Sequence, residues 1–190
     1  MKNELLNYPK TMEIDGTEYA INTDFSVWIE IEQIFLSRDE QCEVRFAKIL
    51  ALAYPKLPTN PNVALDKILW FYSCGKDDLI KEKNVVPSLP AYDLKRDFEY
   101  IYAGFLKEFG INLLTEDMHW WQFKMLLSCL GDDCRFSKIV GYRCTDTAKI
   151  KNREMRSFFE RMKRKYRLPD LRTDEEREME TALKMDSLFG

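Results

Sequence analysis

Residues 92–143 read YDLKRDFEYIYAGFLKEFGINLLTEDMHWWQFKMLLSCLGDDCRFSKIVGYR, and their spacing decides the fold class. Leu94, Phe98, Ile101, Tyr102, Phe105 and Phe109 recur at helical intervals, and Gly110 closes that helix. Thr115 is placed to cap a second helix, with Glu116 and Asp117 in a first turn where the helix dipole favours negative charge. From Met118 to Leu130, nine of thirteen residues are apolar and they cover two faces. Trp120 and Trp121, being adjacent, project about 100° apart, so one is expected in the core and the other against a different neighbour. Asp132 and Asp133 can start a short helix through Val140, ended by Gly141.

Upstream, Thr11–Asn22 carries the one β signal: Asp15-Gly16 suits a type I′ turn, flanked by Ile14, Tyr19 and Ile21. A lone hairpin is marginal, so it must rest on helices or on another chain. Asn22 and Asp24 are N-caps for a helix to about Ser37, with Phe25, Trp28, Ile31 and Phe35 as its buried stripe. A second helix, from about Gln41 to Tyr54, is expected to turn Val44, Ala47, Ile49 and Leu50 inward. A third begins at Asn60-Pro61, buries Val63, Ile68, Leu69 and Tyr72, and ends at Gly75. Residues 76–91, with two prolines and no sustained period, read as a long surface connection.

Downstream the chain changes character. Residues 149–167 hold nine basic and two acidic residues, interleaved with Ile150, Met155, Phe158, Phe159, Met162 and Tyr166. Beyond Pro169, Thr173-Asp-Glu-Glu176 spells a capping box that predicts a final acidic helix to about Ser187. These elements make a mainly α protein: a multi-helix bundle over residues 1–148 with a small N-terminal hairpin, and a charged helical extension over 149–190. With 190 residues, 45% hydrophobic and 13% aromatic, the chain is long and apolar enough to bury a core.

Composition also excludes several functions. A net charge of −3 directs the whole molecule to neither nucleic acid nor membrane, and no apolar run approaches the roughly 20 residues of a membrane span. The N-terminus lacks the apolar run of a secretory signal, and five irregularly spaced cysteines do not form a disulfide framework, so a reducing cytoplasm is expected. His119 is the only histidine, with no nucleophile or acid arrayed beside it, and reads as a helix residue bonded to a neighbouring acid or backbone group. Cys129, Cys134 and Cys144 lack the paired knuckles of a structural zinc site; Cys129, within an apolar helix, reads as a packed thiol. Phosphate loops, dinucleotide fingerprints and hydrolase elbows are absent from the sequence. No catalytic, cofactor or metal residue is therefore assigned. The basic stretch could grip phosphates, but the acidic segment after Thr173 makes pairing with it, or with a protein partner, the better reading.

Three pieces of the central stretch carry a family resemblance. Phe98-Glu-Tyr-Ile-Tyr-Ala-Gly-Phe105, Phe109-Gly-Ile-Asn-Leu113 and Met118-His-Trp-Trp-Gln-Phe123, followed by Leu126, Leu127 and Leu130, resemble a family of bacteriophage proteins known by a gene-product number, fifteen. Residues 136–143 resemble the next piece of that family. The resemblance implies a tail-module protein of long-tailed phages, encoded between the major tail protein and the tape-measure protein. It further implies a non-enzymatic tail assembly chaperone or adaptor that acts in the host cytoplasm and is absent from the mature virion. Its partners would be the tape-measure protein and the major tail protein, with self-association compatible and no membrane involved. Alternatives are a structural head–tail or tail-completion protein, or a helical nucleic-acid-binding regulator using residues 149–167. The family supplies no functional residues to carry over. From the chain itself, the candidate protein-binding residues are Trp120, Trp121, Phe158, Met162 and Tyr166.

Overall fold

Asp15 and Gly16 both adopt positive φ, 49° and 75°, as the type I′ turn between two short strands requires. A computed structural model of the protein describes residues 8–37, 40–76 and 90–170. Among the described residues are one antiparallel hairpin and seven α-helices, the mainly α architecture that the periodicity predicts. The chain divides into two compact units, Met1–Lys81 with Gly110–Cys129, and Glu82–Phe109 with Leu130–Gly190. The connection 77–89 and the final helix expected from Thr173 lie outside the described residues.

In the first unit, β1 (Thr11–Ile14) pairs with β2 (Thr17–Ala20) and buries Met12, Ile14 and Tyr19. The hairpin rests on α3 (Pro61–Tyr72), and Asn60 joins the two. Its amide donates to the Asp15 carboxylate at 2.9 Å, while its Oδ1 caps α3 by accepting from Val63 N at 3.3 Å. α1 (Phe25–Leu36) is capped by Asp24, whose carboxylate accepts from Ser26 N at 2.8 Å. Phe25, Trp28 and Ile31 are buried as predicted, but so are Ile29 and Glu32, whereas Phe35 is half-buried. The wider buried arc follows from packing on two sides, against α2 (Cys42–Ala53) and α5 (Trp120–Ser128). Glu32 is supported there by the Tyr72 hydroxyl, which donates at 2.5 Å.

The inward faces of α2 and α3 differ from the sequence reading. On α2, Ile49 and Ala53 are buried, Leu50 is half-buried, and Val44 and Ala47 face solvent. Apolar residues lie all around this helix, so periodicity selects no face. Arg45, one and two i+4 steps before the buried Ile49 and Ala53, donates to Ser37 O and to Cys42 Sγ. On α3 the buried set is Ala64, Ile68 and Phe71, while Leu69 is exposed and Val63 and Tyr72 are half-buried. Gly75, at φ 74°, closes α3 by donating its N–H to Trp70 O at 3.0 Å.

In the second unit, α4 (Phe98–Phe109) starts later than the periodicity from Asp93 predicts. Asp93 folds residues 94–97 into a turn, its carboxylate accepting from Lys95 N and Arg96 N at 2.9 Å each. α4 packs on α6 (Arg135–Cys144). The approach is close at Gly104, where an added Cβ would stand 2.9 Å from Cys134 Sγ. Helix α6 runs through Gly141 rather than ending there, and thereby places Arg143 on its last turn. A 3-10 turn at Thr147–Lys149 leads to α7 (Arg153–Lys165), capped by Asn152 accepting from Met155 N at 2.9 Å.

Candidate functional site

The His119-Trp120-Trp121 word begins a helix by a device that the sequence reading assigned to Thr115. Thr115 instead lies in a turn closed by Asn112, and residues 116–118 are not helical. A backbone bridge with the segment before α1 overrides the local cap. Phe25 N donates to Met118 O at 3.0 Å, and Trp120 N donates to Thr23 O at 2.7 Å. His119 then caps α5, its Nδ1 accepting from Trp121 N at 3.0 Å. An accepting Nδ1 leaves the proton on Nε2, which donates to Pro9 O at 3.0 Å. The ring stacks on Tyr8 with centroids 4.9 Å apart. Burial holds the His119 pKa below 6.5, the Pro9 bond opposes this, and the charge of Lys10 adds to it.

The two tryptophans cap a different helix. Trp120 Nε1 donates to Tyr72 O at 3.0 Å and Trp121 Nε1 to Phe71 O at 2.8 Å. These carbonyls belong to the last turn of α3, where backbone acceptors have no partner within the helix. Trp120 is 0% exposed and stacks near Trp28 and Tyr72, at centroid distances of 6.2 and 5.6 Å. Phe123 stacks on Phe25 at 4.9 Å. Trp121 is half-buried beside Trp70, 5.4 Å between centroids, over Gly75. One tryptophan thus enters the core and the other meets a separate neighbour, as their 100° offset predicts. As a candidate contact for a partner, Trp120 is enclosed, whereas Trp121 keeps part of its ring open.

The remaining candidates lie on α7 in the second unit. Tyr166, following α7, is 9% exposed and holds the helix in place. Its hydroxyl accepts from Arg135, its carbonyl accepts from Arg143 Nε at 2.6 Å, and its ring stacks on Tyr142 at 6.1 Å. Arg143 is the centre of this unit. Its guanidinium forks onto the Asp97 carboxylate at 2.6 and 2.8 Å and also reaches Ala91 O at 3.2 Å. No motif spells this pair, which joins residues 46 apart, and the helix end expected at Gly141 left Arg143 outside any element.

Met162 is half-buried, and Phe158 is 38% exposed with its edge against Tyr142. Met155, at 56% exposure, extends the same apolar strip outward. Beside it, Arg153, Glu154, Ser157, Phe158 and Arg161 line a shallow groove of about 490 Å³. Arg161 sits 5.7 Å from the Phe158 ring, so the groove has an aromatic floor and a cationic wall. Among the described residues no carboxylate pairs with a basic residue of α7.

The other chemical candidates are placed as follows. Cys129 is exposed at the end of α5 rather than packed, Cys134 is buried, and Cys144 is exposed. Burial raises the Cys74 thiol against the opposing charges of Lys124 and Lys76, which keeps it from the thiolate form. Among the described residues, no group of three or more His, Cys, Asp or Glu side chains could hold a metal ion, and no helix is long and apolar enough to cross a membrane.

Fold and surface together define a helical protein with tryptophan-locked packing in one unit and an amphipathic basic helix on the other. The family model described as Bacteriophage Gp15 protein matches residues 4–168, and the chain belongs to that family. No curated protein and no solved structure matches it.

Proposed function

We propose that this bacteriophage protein is a non-enzymatic tail assembly chaperone or adaptor. In this reading it binds the tape-measure protein and tail subunits in the host cytoplasm during tail morphogenesis and is not retained in the mature virion. Family membership supplies the phage context. The observation that carries the binding role is the α7 strip of Met155 and Phe158, exposed between arginines. Apolar anchors in a charged rim suit the docking of a partner helix. A tape-measure protein, long and helical, offers such faces in repetition.

Co-expression tests this reading. The protein should raise the soluble fraction of its tape-measure protein and co-purify with it. No gain in solubility would remove the chaperone role. Mass spectrometry of purified virions separates the structural alternative, since a stoichiometric copy in finished particles identifies a head–tail or tail-completion component. The basic composition of residues 149–167 keeps a nucleic-acid reading in view. A salt-dependent DNA shift that disappears when Lys163, Arg164 and Lys165 are neutralised would favour it.

A further inference from the structure

We infer that the α7 groove receives one helix of a protein partner, and that this helix carries an apolar side chain flanked by carboxylates three or four residues away on each side. This rests on the docking role proposed above, but not on which helical protein fills it. The spacing of the lining residues specifies a helix. Glu154, Ser157, Phe158 and Arg161 stand at i, i+3, i+4 and i+7 of α7, and Arg153 adjoins them. Those four positions are the corners of the hole that takes one side chain of a facing helix. Ser157 is the short corner that leaves the hole open, and Phe158 is its apolar wall. That wall is set in advance, because Tyr142 and Phe159 hold the Phe158 ring edge-on at centroid distances of 5.9 and 5.6 Å. Met155, three residues before Phe158 and 56% exposed, extends the apolar surface toward the start of the helix.

Charge selects among helices. Arg153 and Arg161 are eight residues apart, about 12 Å along the axis, and bracket the hole. Both are exposed, as is Arg164, whereas Arg156 and Lys163 donate to Ile150 O and Thr145 O. A facing helix with one carboxylate a turn before its apolar knob and one a turn after meets both bracketing arginines at once. The same carboxylates offset the repulsion between Arg161 and Lys165 at i, i+4. Glu154 is the one acid in the lining, and it sits in the first turn, where the α7 dipole favours it. It repels a phosphate chain at the mouth of the groove but can pair with a base on a partner helix. That acid, and a hole spaced for one side chain of a helix, favour an acidic amphipathic helix over nucleic acid.

Selection from a displayed library of amphipathic helices tests this. Each peptide is about 20 residues long, enough to hold a helix, with one fixed leucine and random charge around it. The full-length chain should enrich sequences with Asp or Glu three or four residues before and after the leucine. By fluorescence anisotropy, the enriched peptide should bind the Arg153→Glu, Arg161→Glu variant about tenfold or more weakly. Lys95→Glu with Lys107→Glu, exposed positions outside the groove, changes net charge equally and should leave binding as in the parent. Ser157→Trp, which fills the hole from an exposed position, should abolish binding with the circular dichroism unchanged. No enrichment, enrichment without flanking carboxylates, or equal binding by the charge-reversed variant would overturn the inference. So would displacement of the peptide by equimolar single-stranded DNA, which gives the face to nucleic acid, or self-association lost on Ser157→Trp, which gives it to a second copy. Peptide binding as expected beside a tape-measure protein that stays insoluble on co-expression would leave this docking rule standing and remove the chaperone role alone.

Discussion

Replacing Arg143 by alanine should damage the second unit more than any exposed substitution on it. The guanidinium is 10% exposed and its partner carboxylate, Asp97, is 3% exposed, so neither is rescued by solvent. Truncation removes the two-pronged bond to Asp97 together with the bonds to Tyr166 O and Ala91 O. The Asp97 carboxylate is left buried with the N–H of Asp93, at 3.0 Å, as a remaining donor. Breaking one side of a buried pair costs about 3–5 kcal/mol, and that range applies here. Arg143→Lys keeps the charge but cannot reproduce the fork or reach both carbonyls, so it should still cost about 2 kcal/mol. Replacing both partners, Asp97→Leu with Arg143→Met, should recover part of the loss, because two apolar groups leave no buried charge behind. Urea unfolding followed by circular dichroism measures the three variants, and amide exchange in α4 and α6 localises the effect. A cost below about 1 kcal/mol for Arg143→Ala would refute the argument, since that is the range of solvent-exposed ion pairs.

Three further outcomes are expected. Because burial depresses the His119 pKa, the unfolded chain takes up the proton first as pH falls. The His119 contribution is therefore fully present above about 6.5 and lost as pH drops through the lower folded value, as Nδ1 stops accepting from Trp121 N. Urea midpoints at pH 7.5 and 5.5 should converge in His119→Asn, which keeps a capping oxygen but does not titrate; an unchanged pH difference would exclude His119 as its source. Gly75→Ala forces a Cβ into positive φ, 3.1 Å from Trp121 and 3.3 Å from Trp70. It should cost about 1 kcal/mol or more and alter tryptophan fluorescence, whereas a neutral result would place that turn elsewhere. Met155→Ser should change stability by less than about 0.5 kcal/mol, as at other exposed sites, while lowering the recovery of tape-measure protein in co-expression; unchanged recovery would remove Met155 from the docking surface.

What the sequence disclosed depends on how local the deciding physics is. The hairpin was legible because Asp15-Gly16 carries its own turn geometry, and so were the Asp24 and Asn60 caps, each closed within three residues. The start of α5 was not. Thr115 followed by two acids is a sound local cap, but Asn112 closes a turn there and the backbone at 118–120 pairs with residues 23–25, about 95 positions earlier. The inward face of α2 was hidden for the opposite reason, since apolar residues surround the helix and only its neighbours choose among them. The divergence of Trp120 and Trp121 was legible in their adjacency, yet their indole bonds to the end of α3 depend on a packing that no spacing reveals. Phe158 and Tyr166 were likewise indistinguishable in sequence, because both meet Tyr142 of α6 and only Tyr166 adds Tyr100 of α4 and the bonds from Arg135 and Arg143.

That distinction moves the weight of the functional reading along the chain. His119, Trp120, Trp121 and Phe123 all have complete structural assignments: one caps its own helix, two cap α3, and the last stacks on α1. A word with every polar atom spent on the fold identifies the family without naming a contact for a partner. On α7 the accounting runs the other way. Tyr166 spends both its hydroxyl and its carbonyl on anchoring the helix, while Met155 stays 56% exposed and Phe158, its edge against Tyr142, stays 38% exposed. Leaving Met155 and three arginines outward adds no stability within the unit, because exposed apolar surface and like charges both oppose folding. A partner helix docking there, as the proposed function has it, would meet apolar anchors beside a cationic wall, and salt should weaken that contact.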